Sequence, residues 1–307
     1  MFNFAKKNSQ TSLNESNKIP PELFKKIRKI EFSTRKMVNE MLSGRYSSLF
    51  RGFGMEFEDV REYFAGDDYR RIDWNVTARH DKPYVKRFHE ERQLSVTLLI
   101  DISGSLEFGS SVITKGEKIA EMSALLAFTA LSNHDKIGTI LFTDKVEKYI
   151  PPNSKRNTVL RMIRDILYHK RSRKKTDLNL GLEYAIDNMK RRGIIFIFSD
   201  FFCDIDKKKL TIAARKHDLI PVIVSDEFEY AQPGVGIIEA IDNETGRKQL
   251  IDTESNVYRA FIEQRKSTVA DKIQIFKKIG IEPIILDCND DIEKIIIEYF
   301  YRRSKKR

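Results

Sequence analysis

Cysteine is scarce in this chain of 307 residues. Cys203 and Cys288 are too few for a disulfide framework and match a reducing compartment, where they serve as ordinary buried or half-buried thiols. Long apolar runs are missing as well. The longest, such as Ser95–Ile102 and Ile194–Phe198, are closed off by nearby charges, far short of the roughly 20 apolar residues that cross a bilayer, so no transmembrane helix is expected. The opening Met1–Asn17 is polar and lacks the apolar core and small-residue cleavage site of a secretory signal, which makes cytoplasmic residence the expectation. His80, His89, His134, His169 and His217 are dispersed, with no pair at the helical spacing of a zinc hydrolase. No segment recurs at a fixed period, which excludes solenoids and propellers.

What is present is enough for one sizeable core and a smaller attached module: 41% of residues are hydrophobic and 10% aromatic. The formal charge of +10 is a mild excess. Part of it sits in the last residues, Arg302-Arg303-Ser304-Lys305-Lys306-Arg307, a stretch expected to be a solvated basic tail over 303–307. Contact of such a tail with nucleic acid, anionic lipid or an acidic protein is the alternative.

Hydrophobic periodicity divides the chain. Residues 1–19 show no apolar period and are expected to be a disordered lead-in. Residues 20–92 form an N-terminal extension. Pro20-Pro21 opens a helix, over which Leu23, Phe24, Ile27, Ile30, Val38, Met41 and Leu42 recur largely at three- and four-residue spacing. From Ser43 to Arg92, glycines, aromatics and interleaved charges predict loops and short strands.

Residues 93–302 are the regular part. Leu94–Ile100 has the nearly continuous apolar content of a strand covered on both faces. A helix follows from about Glu117 to Ser132, then a strand Lys136–Phe142 and a strand-like piece Val146–Ile150 closed by Pro151-Pro152. Helices over Arg156–Tyr168, Leu178–Lys190 and Lys207–His217 alternate with strands Ile194–Ser199 and Ile220–Val224. A β-hairpin insertion at about 234–253 interrupts the alternation. A long helix Val257–Ile279, a strand Ile281–Leu286 and a helix Ile292–Tyr301 complete it. This pattern predicts an α/β fold: a doubly wound, mostly parallel sheet with helices on both faces.

In such a sheet ligands gather where loops leave the carboxyl ends of strands. Three segments arrive at that edge. Asp101-Ile-Ser103-Gly-Ser105 follows the first core strand, Thr176 opens a helix, and Ser199-Asp200 ends the next core strand. Asp101, Ser103, Ser105, Thr176 and Asp200 together offer two carboxylates and three hydroxyls. An all-oxygen set suits a hard cation, Mg²⁺ first, with Mn²⁺ or Ca²⁺ as substitutes. Two carboxylates leave such a site short of negative charge, with a position open to a carboxylate from a partner. The competing account has Ser and Thr capping helices while Asp101 ends a strand.

These five positions resemble the metal-ion-dependent adhesion site of von Willebrand A domains, a Rossmann-like fold. In that family the aspartates and hydroxyls hold the ion directly or through water, and a partner's Glu or Asp completes the shell. Here Phe201-Phe202 follows Asp200 where many members carry Gly, so a different loop shape is expected.

The block from Gly44-Arg45-Tyr46 through Asp59-Val60-Arg61-Glu62-Tyr63 and Asp73-Trp74 to Arg79, with Lys86-Arg87-Phe88, Glu90-Glu91-Arg92 and Phe142-Thr143-Asp144, is similar to the bacterial DUF58 family. That resemblance implies a von Willebrand A-like domain with an upstream extension, and a MoxR-type AAA+ ATPase as partner in protein maturation or remodelling. Within the block, Glu58, Asp59, Glu62, Asp67, Asp68 and Asp73 admit two readings, an acidic metal cluster or a network paired with Arg51, Arg61, Arg70, Arg71 and Arg79; the network is favoured because almost every acid has a base within a few residues. Trp74 is expected to be a packing anchor. The favoured function is a metal-dependent protein-interaction module, not an enzyme. A nucleic-acid or anionic-surface binder and a metal-dependent hydrolase are the alternatives.

Overall fold

The computed structural model describes residues 60–64, 74–79, 82–86, 93–109, 113–169, 175–231, 234–241 and 248–305. The lead-in, the Leu23–Leu42 helix and most of the charged block lie outside them. The part of the extension that is described is a two-stranded antiparallel ribbon, β1 (Val60–Glu62) and β2 (Tyr84–Lys86), with one helical turn between them, α1 (Trp74–Thr77). That turn was not expected in a region of loops and strands. Trp74 is also no packing anchor, being 69% exposed. The turn is fastened instead by Thr77, whose hydroxyl accepts from the Tyr84 backbone N–H at 3.0 Å. Of the acids in the block, Glu62 pairs with Lys82 at 3.2 Å.

The regular part contributes β3 (Ser95–Asp101), α2 (Lys115–Ser132), β4 (Lys136–Phe142), β5 (Val146–Asn153), α3 (Arg156–Tyr168), α4 (Leu178–Asn188), β6 (Ile194–Ser199), α5 (Lys207–Lys216) and β7 (Asp218–Ser225). A hairpin follows, β8 (Ile237–Ile241) and β9 (Lys248–Asp252), then α6 (Asn256–Lys278), β10 (Ile284–Asp287) and α7 (Ile292–Lys305). Six strands form one sheet in the order β10-β7-β6-β3-β4-β5, parallel throughout except for β5. The expected α/β class and hairpin are both present.

Alternation along the strands sorts side chains to two cores. Val96, Leu98, Ile100, Phe196 and Phe198 face α2, α3 and α7. Leu99, Ile195 and Ile197 face α4, α5 and α6. Each core strand is therefore buried on both faces, which is why these strands lack a polar face in sequence.

Three boundaries differ from expectation for identifiable reasons. Helix α2 starts at Lys115 because Thr114 caps it in a reciprocal capping box with Glu117, which makes Glu117 the third helical residue. Strand β5 runs through Pro151-Pro152 to Asn153. It is an edge strand, where a missing N–H costs no ladder bond. The pairing shifts register beside Gly138, where a Cβ would stand 2.9 Å from the Ile150 carbonyl oxygen and the Pro152 nitrogen. Helix α7 continues to Lys305, so Arg303 belongs to the fold, paired with Asp218, and not to a solvated tail.

The chain crosses from β3 to β4 on one side, and β6 joins β3 on the other. The crevice of an open α/β sheet lies where strand order reverses, outside the carboxyl ends. Here that place is the ends of β3 and β6.

Candidate functional site

Asp101 is the last residue of β3 and is fully buried. Its carboxylate accepts from the Ser103 N–H at 2.9 Å, from the Ser199 hydroxyl at 2.8 Å, and from the Thr176 hydroxyl, which lies 3.2 Å from both oxygens. Ser103 and Ser105 hydroxyls lie 3.1 Å apart. Asp200, buried just past the end of β6, is close enough for its charge to act on Asp101. The structure thus gathers all five expected residues at one strand edge and adds Ser199, which sequence reasoning left out of the donor set.

The local chain explains the gathering. Asp177 caps α4 by accepting from Asn179 N and Leu180 N at 3.0 and 3.2 Å, which sets Thr176 at the mouth of the helix. The capping account therefore applies to Asp177, whereas the Thr176 hydroxyl turns to Asp101. Phe201 adopts φ of 57°, a left-handed conformation costly for a side chain with Cβ by about 1–2 kcal/mol. It is held there by its N–H on Ser199 Oγ at 3.0 Å and by burial against Phe276, ring centres 5.2 Å apart. Gly would adopt such a left-handed bend freely; here a buried aromatic holds it at the cost of strain.

Among the described residues, Asp101 accepts hydrogen bonds from neutral groups alone. Its pKa is pushed up to about 6, first by burial and then by the Asp200 charge, against the lowering effect of the Ser103 and Ser199 hydrogen bonds. Among the described residues, the one ion pair reaching either carboxylate is Lys115 Nζ to Asp200 Oδ2, at 3.6 Å. Lys115 is fully buried in the first turn of α2 and lies 2.8 Å from Glu229 Oε1, which also takes Arg265 at 3.2 Å. The Arg265 guanidinium stacks over Phe202, 4.0 Å from the ring centre. Lys115, Glu229 and Arg265 were not expected. Arg265 left a signal, its helical spacing to Phe261 and Thr268; Lys115 and Glu229 left none beyond lying near strand ends.

The donor set fits a hard divalent cation. It is all oxygen, and among the described residues two buried carboxylates face one buried ammonium. Among the described residues no group of three or more His, Cys, Asp or Glu is placed to hold a metal, so the hydroxyls would have to complete the shell. Asp101, Asp200, Ser103, Ser105 and Thr176 are the residues that would hold the ion, directly or through water, and it would supply an electrophilic centre for an incoming carboxylate. A cleft of about 840 Å³ opens onto this edge, with Ser105, Thr176 and Asp200 in its wall. Among the described residues, no helix is long and apolar enough to cross a membrane.

Residues 59–271 match the model of a family described as a protein of unknown function, DUF58. Uncharacterized proteins of Mycobacterium bovis and Mycobacterium tuberculosis are 28% identical over 229 residues, 74% of this chain and 72% of theirs. Among solved structures, a conserved hypothetical protein, BatB, from Bacteroides thetaiotaomicron aligns with a TM-score of 0.45 and 14% identity over 70% of this chain and all of that one. An aerotolerance-related membrane protein from Bacteroides fragilis aligns with a TM-score of 0.45 and 15% identity over 68% of this chain and 99% of its own.

Proposed function

The chain belongs to the DUF58 family, and on that premise we propose that the β3–β6 edge is a metal-dependent docking site that recruits a carboxylate of a partner protein. The observation that supports this most directly is Asp101, a fully buried carboxylate with a second one beside it and, among the described residues, only neutral hydrogen-bond donors of its own. Lys115 reaches Asp200 alone of the two, and such a pair is costly to bury without further positive charge. A Mg²⁺ ion, with Mn²⁺ or Ca²⁺ as substitutes, suits the oxygen donors.

Charge accounting favours a carboxylate as the incoming group. Asp101, Asp200 and Glu229 carry three negative charges, and Lys115 and Arg265 two positive ones. A divalent cation leaves the whole cluster with one positive charge, which one carboxylate neutralises. The same hydroxyls, engaged with Asp101 and the cation, are poor nucleophiles, and among the described residues no histidine is paired with them, so docking is favoured over hydrolysis.

The partner we propose, following the family resemblance, is a MoxR-type AAA+ ATPase in the cytoplasm, with this chain as adaptor or substrate-presenting subunit in protein maturation or remodelling. A pull-down from the source cell, with Mg²⁺ and with chelator, comparing wild type with Asp101→Ala, tests it. A partner retained by wild type in Mg²⁺ and lost under both other conditions is expected. A partner set unchanged by chelator and by the substitution would sink the proposal.

A further inference from the structure

Helix α6 carries a stripe that leads away from the cation site. Val257, Phe261, Arg265, Thr268 and Lys272 follow one another at spacings of three or four, so they share one face of the helix. Arg265, Thr268 and Lys272 line the cleft beside Asp200. Val257 and Phe261 continue the same face outward, 81% and 49% exposed. From Val257 to Lys272 the stripe is about 22 Å long, at 1.5 Å per residue. That is the span of roughly seven residues of extended peptide.

The charges along the cleft are unequal in what they have left to give. Asp177 is spent on the cap of α4, Glu229 on Lys115 and Arg265, and Asp200 on Lys115 and the cation site. Exposed Asp204 is the remaining acid. Against it stand three bases. Lys272 has three N–H donors and uses one on the Cys203 carbonyl, at 2.6 Å. The buried Arg265 Nε has no hydrogen-bond partner among the described residues. Lys175, exposed and lining the same cleft, makes no ion pair among the described residues.

We propose that the site takes an acidic peptide segment in two carboxylate contacts: one at the cation site, and a second at the basic wall of Lys272, Arg265 and Lys175. An apolar side chain of the same segment then lies on Phe261 and Val257. This rests on the cation-site reading and adds the class of ligand. A protein segment fits better than a nucleic acid strand, because Asp204, Asp200 and Glu229 oppose a continuous row of phosphates, whereas spaced carboxylates avoid them.

Selection of random displayed heptapeptides on the full chain tests this, run in Mg²⁺ and in EDTA on wild type, Asp101→Ala, Lys272→Glu and Lys175→Glu. Thermal unfolding of each variant accompanies it. Wild type in Mg²⁺ is expected to enrich peptides with two acidic positions and an apolar one. Lys272→Glu and Lys175→Glu should each keep the Mg²⁺-dependent acidic position and lose the second, binding a wild-type winner roughly tenfold more weakly by fluorescence anisotropy, the scale of one charged hydrogen bond. Winners with a single acidic position, bound equally by wild type and both lysine variants, overturn the basic-wall contact while leaving the cation site standing. A two-acid preference that survives EDTA and Asp101→Ala supports the basic wall and removes the cation site. Absence of acidic enrichment, or displacement of winners by a single-stranded oligonucleotide at lower concentration than by acidic peptide, overturns the proposal.

Discussion

The two ends of the parallel sheet treat buried charge in opposite ways. At the amino end, Asp218 at the start of β7 is met by the guanidinium of Arg303 from α7. Arg303 also reaches the hydroxyl of buried Tyr299, at 3.4 Å, and that hydroxyl donates to the Glu282 carbonyl at 3.1 Å. Asp135 accepts from the Leu94 N–H at 2.9 Å, tying the entry to β3 to the turn before β4. At the carboxyl end, Asp101 and Asp200 face each other with one lysine between Asp200 and a third acid, Glu229. The amino end closes its charges within the chain, and the carboxyl end leaves a deficit. A cluster that stores a deficit costs stability, and such costs gather at functional sites.

The comparison predicts substitutions of opposite sign. Arg303→Met should break the amino end, because removing one partner leaves the Asp218 carboxylate unpaired at a nearly buried position. Loss of a buried pair's partner costs about 3–5 kcal/mol; with Arg303 partly exposed, about 3 kcal/mol is expected, read as a lower urea midpoint. A midpoint within error of wild type would show that the two ends do not differ.

Asp101→Asn should do the reverse in chelator. The Asp101 carboxyl titrates near 6 in the folded chain against an ordinary 3.8, so the folded state binds its proton more tightly than the unfolded state. Stability therefore falls as pH rises from about 4 to 6, and the penalty is complete above 6. A shift of this size corresponds to about 3 kcal/mol at most. In EDTA at neutral pH the Asn variant should be more stable than wild type by up to that amount, and lack the fall between pH 4 and 6. Mg²⁺ should stabilise wild type and leave the variant unmoved. A variant less stable than wild type in EDTA would refute the idea of a deficit.

How much of this was legible follows from which interactions are local. Asp101, Ser103 and Ser105 were readable because alternation after a buried strand is a local pattern, and Thr176 and Asp200 because a doubly wound sheet sends its loops to one edge. The strands of the core were readable for the same reason: burial on both faces leaves an unbroken apolar run. Lys115 was not, since its acids lie 85 and 114 positions away, and nothing near it marks a lysine as buried. The exposed Trp74 misled because an aromatic near charges is indistinguishable in sequence from an anchor. Pro151 and Pro152 misled because only topology tells an edge strand from a central one. Arg303 looked like tail because its partner, Asp218, is supplied by another element.

The smallest expected effect separates the two ends by the direction of their response to acid. His217 closes α5 just before β7; it is buried, and neither ring nitrogen has a hydrogen-bond partner among the described residues. Burial first, then the charges of Lys216 and Arg192, lowers its pKa from an ordinary 6.5. The unfolded chain then takes up the proton before the folded one, so this group contributes stability above pH 6.5 that is lost as pH falls below it. Asp101 works the other way over an overlapping range, and the two slopes partly cancel in wild type. The Asp101→Asn background in EDTA removes the carboxylate's slope and exposes the histidine's. Urea midpoints there should fall on acidification from pH 7 to 5, and the further change His217→Gln should flatten the fall. An equally steep fall with Gln at 217 would place the acid sensitivity elsewhere, and the amino end would then hold a titrating charge that its pairs do not account for.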